Sequence, residues 1–300
     1  MSVTNFRTTG AGAASASSAA SKVTFQTLQE KKQRHRPISA LTAYDYATAR
    51  LVDEAGIDLI LVGDSLAMVV MGYETTLPVT VDEMLHHTRA VRRAVKRAAV
   101  VADMPFGSYQ NSVAEGVANA VRFVKEAGAE AVKIEGGAVR CELVERMTSA
   151  EIPVVGHLGL TPQAVHRMGG YKVQGRTQAA AEELARDARM LEAAGASLIV
   201  LEGMPREVAA EITSQLRIPT IGIGAGPDCD GQILVFHDLV NLSFSPPAKF
   251  VRRYGDAAGL FRSAIEGYRH DVEERAFPSE AESYHLDSPS RHTRSASSLG

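Results

Sequence analysis

From about residue 24 to residue 285 the chain alternates short, continuously apolar runs with longer amphipathic segments. The runs are 38–42 (ISALT), 58–63 (DLILVG), 98–103 (AAVVAD), 130–135 (EAVKIE), 152–157 (IPVVGH), 197–202 (SLIVLE), 219–224 (PTIGIG) and 232–237 (QILVFH). Runs of this length and composition read as strands buried on both faces. Three of them follow helix-stop signals, Glu54-Ala55-Gly56, Glu126-Ala127-Gly128-Ala129 and Glu192-Ala193-Ala194-Gly195-Ala196, where glycine can take the left-handed conformation that ends a helix. The segments between read as helices. Over 111–127, Val113, Val117, Ala120, Val121 and Val124 form one stripe at helical spacing. Segments 178–194 and 205–216 behave similarly, with Pro205 where a first helical turn tolerates it. Eight such βα units without a second core predict an α/β fold, a (β/α)8 TIM barrel; a doubly wound open sheet is the runner-up.

Four runs end on charge, at Asp64, Asp103, Lys133-Ile134-Glu135 and Glu202. A charge at the end of a buried strand is costly unless that end opens into a polar, liganded cavity. Barrel active sites lie at the C-terminal strand ends, where these residues and His157 fall. Strand alternation puts Lys133 and Glu135 on one face, with Val132 and Ile134 toward the helices. It also points Val62 with Asp64, Val101 with Asp103 and Val200 with Glu202 inward together.

Two aspartates at adjacent strand tips make a hard oxygen donor set suited to Mg2+. A 2-oxo acid could chelate such an ion, which would then stabilise an enolate as a Lewis acid. Glu202 could supply the base, needing a raised pKa or a desolvated position, and Lys133 could pair with the substrate carboxylate. Taken singly, each acid could instead be a helix cap or a solvated loop residue. Weaker signals stay open. His157 suits ligand contact or a structural hydrogen bond. Gly222-Ile223-Gly224-Ala225-Gly226 lacks the spacing of a dinucleotide fingerprint and reads as a tight strand-end turn. Arg89, Arg92, Arg93, Lys96 and Arg97 read as a solvated face, and His86-His87 lacks the spacing of a helical zinc site.

Composition narrows the field. The chain has 300 residues, 45% hydrophobic, enough for a sizeable core. A net charge of −3 favours neither nucleic acid nor a membrane surface. Two cysteines, Cys141 and Cys229, make no disulfide framework and suit a reducing cytoplasm. No apolar run approaches membrane-span length. Residues 1–23 and 286–300 are polar and Ser-rich and read as disordered tails flanking one catalytic domain over 24–285.

The same segments resemble the 3-methyl-2-oxobutanoate hydroxymethyltransferase family. The matching stretches include Thr42-Ala43-Tyr44-Asp45, Val62-Gly63-Asp64-Ser65-Leu66, Thr76-Leu77-Pro78-Val79-Thr80, Ala102-Asp103-Met104-Pro105-Phe106, Val132-Lys133-Ile134-Glu135-Gly136-Gly137, Gly156 to Gln163, Gly169 to Arg176 and Ile221 to Gly226. Asp230-Gly231-Gln232 and His237-Asp238 complete the set, which spans about Thr24 to His285. The resemblance implies a (β/α)8 barrel, one Mg2+ per subunit and 5,10-methylenetetrahydrofolate as co-substrate. It also implies a homo-oligomer, often a decamer. By motif, Asp64, Asp103 and Glu135 would hold the metal, with Asp64, Ser65, Asp103 and Lys133 at the substrate and Glu202 as proton acceptor. Gly203 stands where many relatives are expected to carry cysteine. The nearest rival is another Mg2+-dependent barrel acting on 2-oxo acids, a carbon–carbon lyase or a mutase. A catalytically silent metabolite-binding protein is the rival from another class.

Overall fold

The computed structural model describes residues 21–286. The strands are β1 (Ile38–Thr42), β2 (Leu59–Val62), β3 (Ala99–Asp103), β4 (Ala131–Glu135), β5 (Val154–Gly159), β6 (Leu198–Glu202), β7 (Thr220–Ile223) and β8 (Gly231–Leu234). They pair in parallel in chain order, and β8 closes on β1 with Gly231 opposite Ile38. This is the (β/α)8 barrel rather than the open sheet. The last run differs from expectation: β8 stops at Leu234, and His237 belongs to a short helical turn.

The helices are α1 (Phe25–Gln33), α2 (Tyr46–Glu54), α3 (Leu66–Val69), α4 (Val81–Ala94), α5 (Val113–Ala127), α6 (Cys141–Ser149), α7 (Val165–Met168), α8 (Gln178–Ala193), α9 (Arg206–Gln215), α10 (Phe236–Leu239) and α11 (Ala257–Glu273). Helix α5 starts at the Ser112 N-cap, whose hydroxyl accepts from Glu115 N, and ends at Gly128 in the left-handed region. Its buried stripe is Gly116, Ala120, Phe123 and Ala127, with Val113 and Val117 half-buried. Val121 and Val124 face solvent instead. The small residues Gly116 and Ala120 allow close approach: a Cβ on Gly116 would sit 2.7 Å from Leu143 Cδ1.

Two apolar layers hold the barrel. Inside are Ile38, Ala40, Leu59, Leu61, Val101, Val155, Val200 and Ile233, continued at the N-terminal end by Val23 and Leu28 of the α1 region. Outside, Ile60, Val62, Val100, Ala102, Val132, Ile134, Ile199 and Leu201 pack under the helices. Val62 therefore faces the helices and Leu61 the interior, contrary to the inward Val62–Asp64 pairing. Lys22 and Val23, counted with the tail on sequence, are tied in: Val23 N donates to Arg97 O and Lys22 Nζ lies 2.7 Å from Glu130 Oε2.

Among the described residues, those through Tyr254 group into one compact unit and those from Gly255 into another. The second unit contains α11, none of whose residues is buried; Leu260, Phe261, Ile265 and Tyr268 are exposed. The tails expected at 1–23 and 286–300 lie almost wholly outside the described residues. Among the described residues, no helix is long and apolar enough to cross a membrane.

Candidate active site

The barrel delivers the charged residues to its C-terminal end. Asp103 closes β3, Lys133 and Glu135 share the inner face of β4, His157 lies on β5 and Glu202 closes β6. Register levels them: Asp103 stands opposite Lys133, and Glu135 opposite His157. Asp64 arrives by another route. Strand β2 stops at Val62 and the chain turns through Gly63, where a Cβ would lie 2.8 Å from Ser65 Oγ and 3.5 Å from Asp103 Oδ2. The turn has no room for a side chain, and it swings Asp64 beside Asp103, whose Oδ2 accepts from Asp64 N at 3.0 Å.

Asp64, Ser65, Asp103, Lys133, Glu135 and Glu202 all line one cavity of about 350 Å³, together with His157. Every site residue named from the sequence is thus in one place. A wider groove of about 820 Å³ involves α1 and α9 and holds none of them. In the cavity, Lys133 Nζ lies 2.7 Å from Asp103 Oδ1, 4.0 Å from Glu135 Oε1 and 3.1 Å from His157 Nδ1. His157 Nδ1 is 3.5 Å from Glu135 Oε1, and its Nε2 is 3.2 Å from Glu202 Oε2, an ion-pair contact short of a directed hydrogen bond. His157 therefore bridges two carboxylates, a role between the two left open for it.

Burial, then the charges of Asp103 and Glu135, push the Asp64 carboxyl well above its ordinary range. Burial also raises Asp103, against the opposing pull of Lys133. Burial would raise Glu135 too, but His157, Lys133 and a backbone N–H outweigh it and hold the carboxyl low. For Lys133, burial is overcome by Asp103, Glu135 and Asp64, which keep the ammonium charged. Burial and Lys133 lower His157, yet Glu135 and Glu202 raise it more, and the imidazole is pushed up to about 9.

These residues fit a hard divalent cation. Burial first, and then neighbouring carboxylate charge, raises Asp64 and Asp103, a condition that a bound cation relieves. Among the described residues no three His, Cys, Asp or Glu side chains form a ready-made ligand cluster. Mg2+ does not need one, because it keeps several waters and takes one or two carboxylates.

Three supporting residues were given no role on sequence, although Tyr44 and Gln163 lie in matching stretches. Gln163 Nε2 donates to Asp64 Oδ2 at 2.9 Å, and its backbone N–H donates to Glu135 Oε2 at 3.0 Å. Tyr109 holds Gln163 through its hydroxyl, at 2.7 Å. Tyr44 is buried, its phenol pushed up by that burial, and its oxygen lies 2.9 Å from Ser65 Oγ. His87 Nδ1 meets the Tyr44 carbonyl oxygen at 2.6 Å, a structural contact. The basic stripe is also structural in part: Arg89 pairs with Glu126 and Arg97 with Asp58. Gly224 has φ +61, and a Cβ there would lie 2.6 Å from Phe250 Cδ1, so the glycine run is a tight strand-end turn packed on by a ring.

A family model described as ketopantoate hydroxymethyltransferase matches residues 22–280. The chain belongs to this family. It is 65% identical over 273 residues to the 3-methyl-2-oxobutanoate hydroxymethyltransferase of Koribacter versatilis, covering 91% of this chain and 92% of that one. It is 54% identical over 257 residues to the Geotalea daltonii protein of the same name, covering 86% and 96%. Among solved structures it is similar to phosphonopyruvate hydrolase complexed with oxalate and Mg++, at 18% identity and TM-score 0.56, covering 86% of this chain and 92% of that one. It is also similar to 2,3-dimethylmalate lyase, at 16% identity and TM-score 0.55, covering 88% and 91%. At such identities those two likenesses concern the fold alone. Gly203, the departure noted on sequence, sits at φ +54, a backbone that glycine adopts without strain.

Proposed function

We propose that this chain transfers a hydroxymethyl group from 5,10-methylenetetrahydrofolate to 3-methyl-2-oxobutanoate, giving 2-dehydropantoate and tetrahydrofolate in pantothenate biosynthesis. The observation that carries this reading is Glu202. Its carboxylate, with a side chain only 15% exposed, lines the same cavity as Asp64, Asp103 and Lys133. A base therefore faces a cation and a hard-metal donor pair, as proton abstraction beside a 2-oxo acid requires.

Lys133 is the cation for the substrate carboxylate, and Ser65, held by Tyr44, offers it a hydroxyl. Asp64 and Asp103 would hold one Mg2+ per subunit, with Glu135 beside them in the same cavity. When bound, the ion supplies Lewis-acid stabilisation of negative charge on the keto oxygen. Glu202 takes the proton from C3, and His157 holds its carboxylate toward the cavity. C3 then bonds to the donor methylene, and the methylene's bonds to nitrogen break with their electron pairs returning to the folate. One water provides the new hydroxyl oxygen. Its two protons and the one from C3 end on the two folate nitrogens and that hydroxyl. The family resemblance extends the proposal to a homo-oligomer, a decamer; the exposed apolar side chains of α11 are surface that assembly would cover.

The test is product formation by the purified protein. We expect 2-dehydropantoate only when 5,10-methylenetetrahydrofolate and Mg2+ are both present. Cleavage of a 2-oxo acid skeleton without the folate would favour the lyase reading.

A further inference from the structure

One residue, through its side-chain amide and its backbone N–H, ties together two of the carboxylates assigned to the metal. Gln163 follows β5 on the turn Pro162–Ala164 and is 7% exposed. Its Nε2 donates to Asp64 Oδ2 at 2.9 Å and to the Met104 carbonyl at 3.0 Å. Its Oε1 accepts from the Tyr109 hydroxyl at 2.7 Å and from Gln110 Nε2 at 3.1 Å. A primary amide has two N–H donors and two acceptor lone pairs, so this side chain is saturated. It cannot be reversed either, because Oε1 would then face a carboxylate and a carbonyl that only accept. Tyr109 is fixed in turn: its oxygen accepts from Glu135 N at 3.0 Å, and Arg140 lies 5.1 Å above its ring.

The consequence lies in the oxygens that remain. The Gln163 side chain occupies Oδ2 of Asp64, and its backbone N–H occupies Oε2 of Glu135 at 3.0 Å. Glu135 Oε1 accepts no hydrogen bond among the described residues and meets only the charges of His157 Nδ1 at 3.5 Å and Lys133 Nζ at 4.0 Å, the Asp64 carboxylate is held through Oδ2, and both residues line the cavity. We propose that Gln163 is a positioning residue for the metal: by holding one oxygen of Asp64 and one of Glu135, it leaves the other oxygen of each for a divalent cation. The proposal rests on the Mg2+ reading above. Groups that orient metal ligands are worth on the order of 10–100-fold in metal affinity when removed.

Calorimetric titration of the metal-free full-length protein with Mg2+ tests this, alongside Q163L, Y109F and D64N. Q163L keeps the backbone donor to Glu135 and loses the side-chain bonds, so its Kd should rise roughly 10–100-fold. Y109F, which removes the donor to the Gln163 amide oxygen and the acceptor of Glu135 N but leaves Nε2 on Asp64, should raise Kd by a smaller factor, about 3–10-fold. At saturating Mg2+, proton exchange at C3 of 3-methyl-2-oxobutanoate should recover in both, since the base is untouched; a purely structural lesion would not recover. A Q163L Kd within twofold of the unaltered protein overturns the inference alone. If Q163L does not fold, Y109F decides: a shift in the same direction supports the inference and an unchanged Kd overturns it. Absence of saturable Mg2+ binding by the unaltered protein, or D64N binding equally well, overturns the metal reading and this inference with it.

Discussion

Both ends of the barrel hold buried or half-buried carboxylates beside strands, and the two sets are treated oppositely. At the N-terminal end, Asp58 accepts from Ser39 N and Ser39 Oγ at 3.0 Å and pairs with Lys31 at 2.5 Å and Arg97 at 3.0 Å. Asp230 pairs with Lys32 at 2.7 Å and accepts from Thr220 N, and Glu130 pairs with Lys22 and accepts from Val100 N. Each acid has its own cation and its own backbone donor. At the C-terminal end, neutral donors reach Asp64, Asp103 and Glu135, but among the described residues the ion pairs of Asp103, Glu135 and Glu202 all draw on Lys133 and His157, and none reaches Asp64. Burial would raise Asp58, yet Lys31, Ser39 and Arg97 hold it low, whereas Asp64 is pushed up. A buried charge is costly in both places; it is compensated by individual cations at one end and left crowded around a shared lysine and histidine at the other.

The comparison can be broken in four ways. The largest effect is expected for E202Q: 2-dehydropantoate formation should fall on the order of 10³-fold, with the melting temperature nearly unchanged. At the opposite end, D58A should cost about 2–4 kcal/mol in urea unfolding, because Lys31 and Arg97 lose their partner, while kcat per folded molecule stays within about twofold. Asp58 has a folded pKa below its ordinary value, so its contribution is present above roughly pH 4 and fades as pH falls through the folded value. The unfolding free energies of D58A and the unaltered protein should therefore converge in acid. Third, Mg2+ at about 100 times its Kd should stabilise the unaltered protein and D58A by about 2.7 kcal/mol, an increment that D64N largely loses. The smallest effect has the opposite sign to D58A: metal-free D64N should be more stable than the unaltered protein by about 1 kcal/mol, through relief of crowded charge. Destabilisation by D64N comparable to D58A would erase the contrast.

Much of this was readable in the sequence because buried parallel strands are written as uninterrupted apolar runs, so a charge at their end stands out. Asp103, Lys133, Glu135 and Glu202 were found that way, and their inward direction followed from alternation. The same rule failed at Val62, because β2 ends early and the Gly63 turn, not strand alternation, aims Asp64. It also overextended β8 to His237, where apolar Val235 and Phe236 continue the run past the last ladder pair. Val121 and Val124 misled for a different reason: the α5 interface is built on Gly116 and Ala120, whose smallness carries no hydrophobic signal. Gln163 and Tyr109 were invisible as site residues, since neutral polar groups in loops have no periodicity and matter here only through their partners. Nor did the pattern separate Asp58 from Asp64; both flank the same strand, and only their surroundings assign one to stability and the other to the site.

The most direct measurement of the central claim is deuterium exchange at C3 of 3-methyl-2-oxobutanoate, followed by NMR without folate. The account predicts exchange that requires Mg2+, stops on chelation and is lost in E202Q even at saturating Mg2+. Exchange that persisted in E202Q at the unaltered rate, or that ignored the metal, would contradict it.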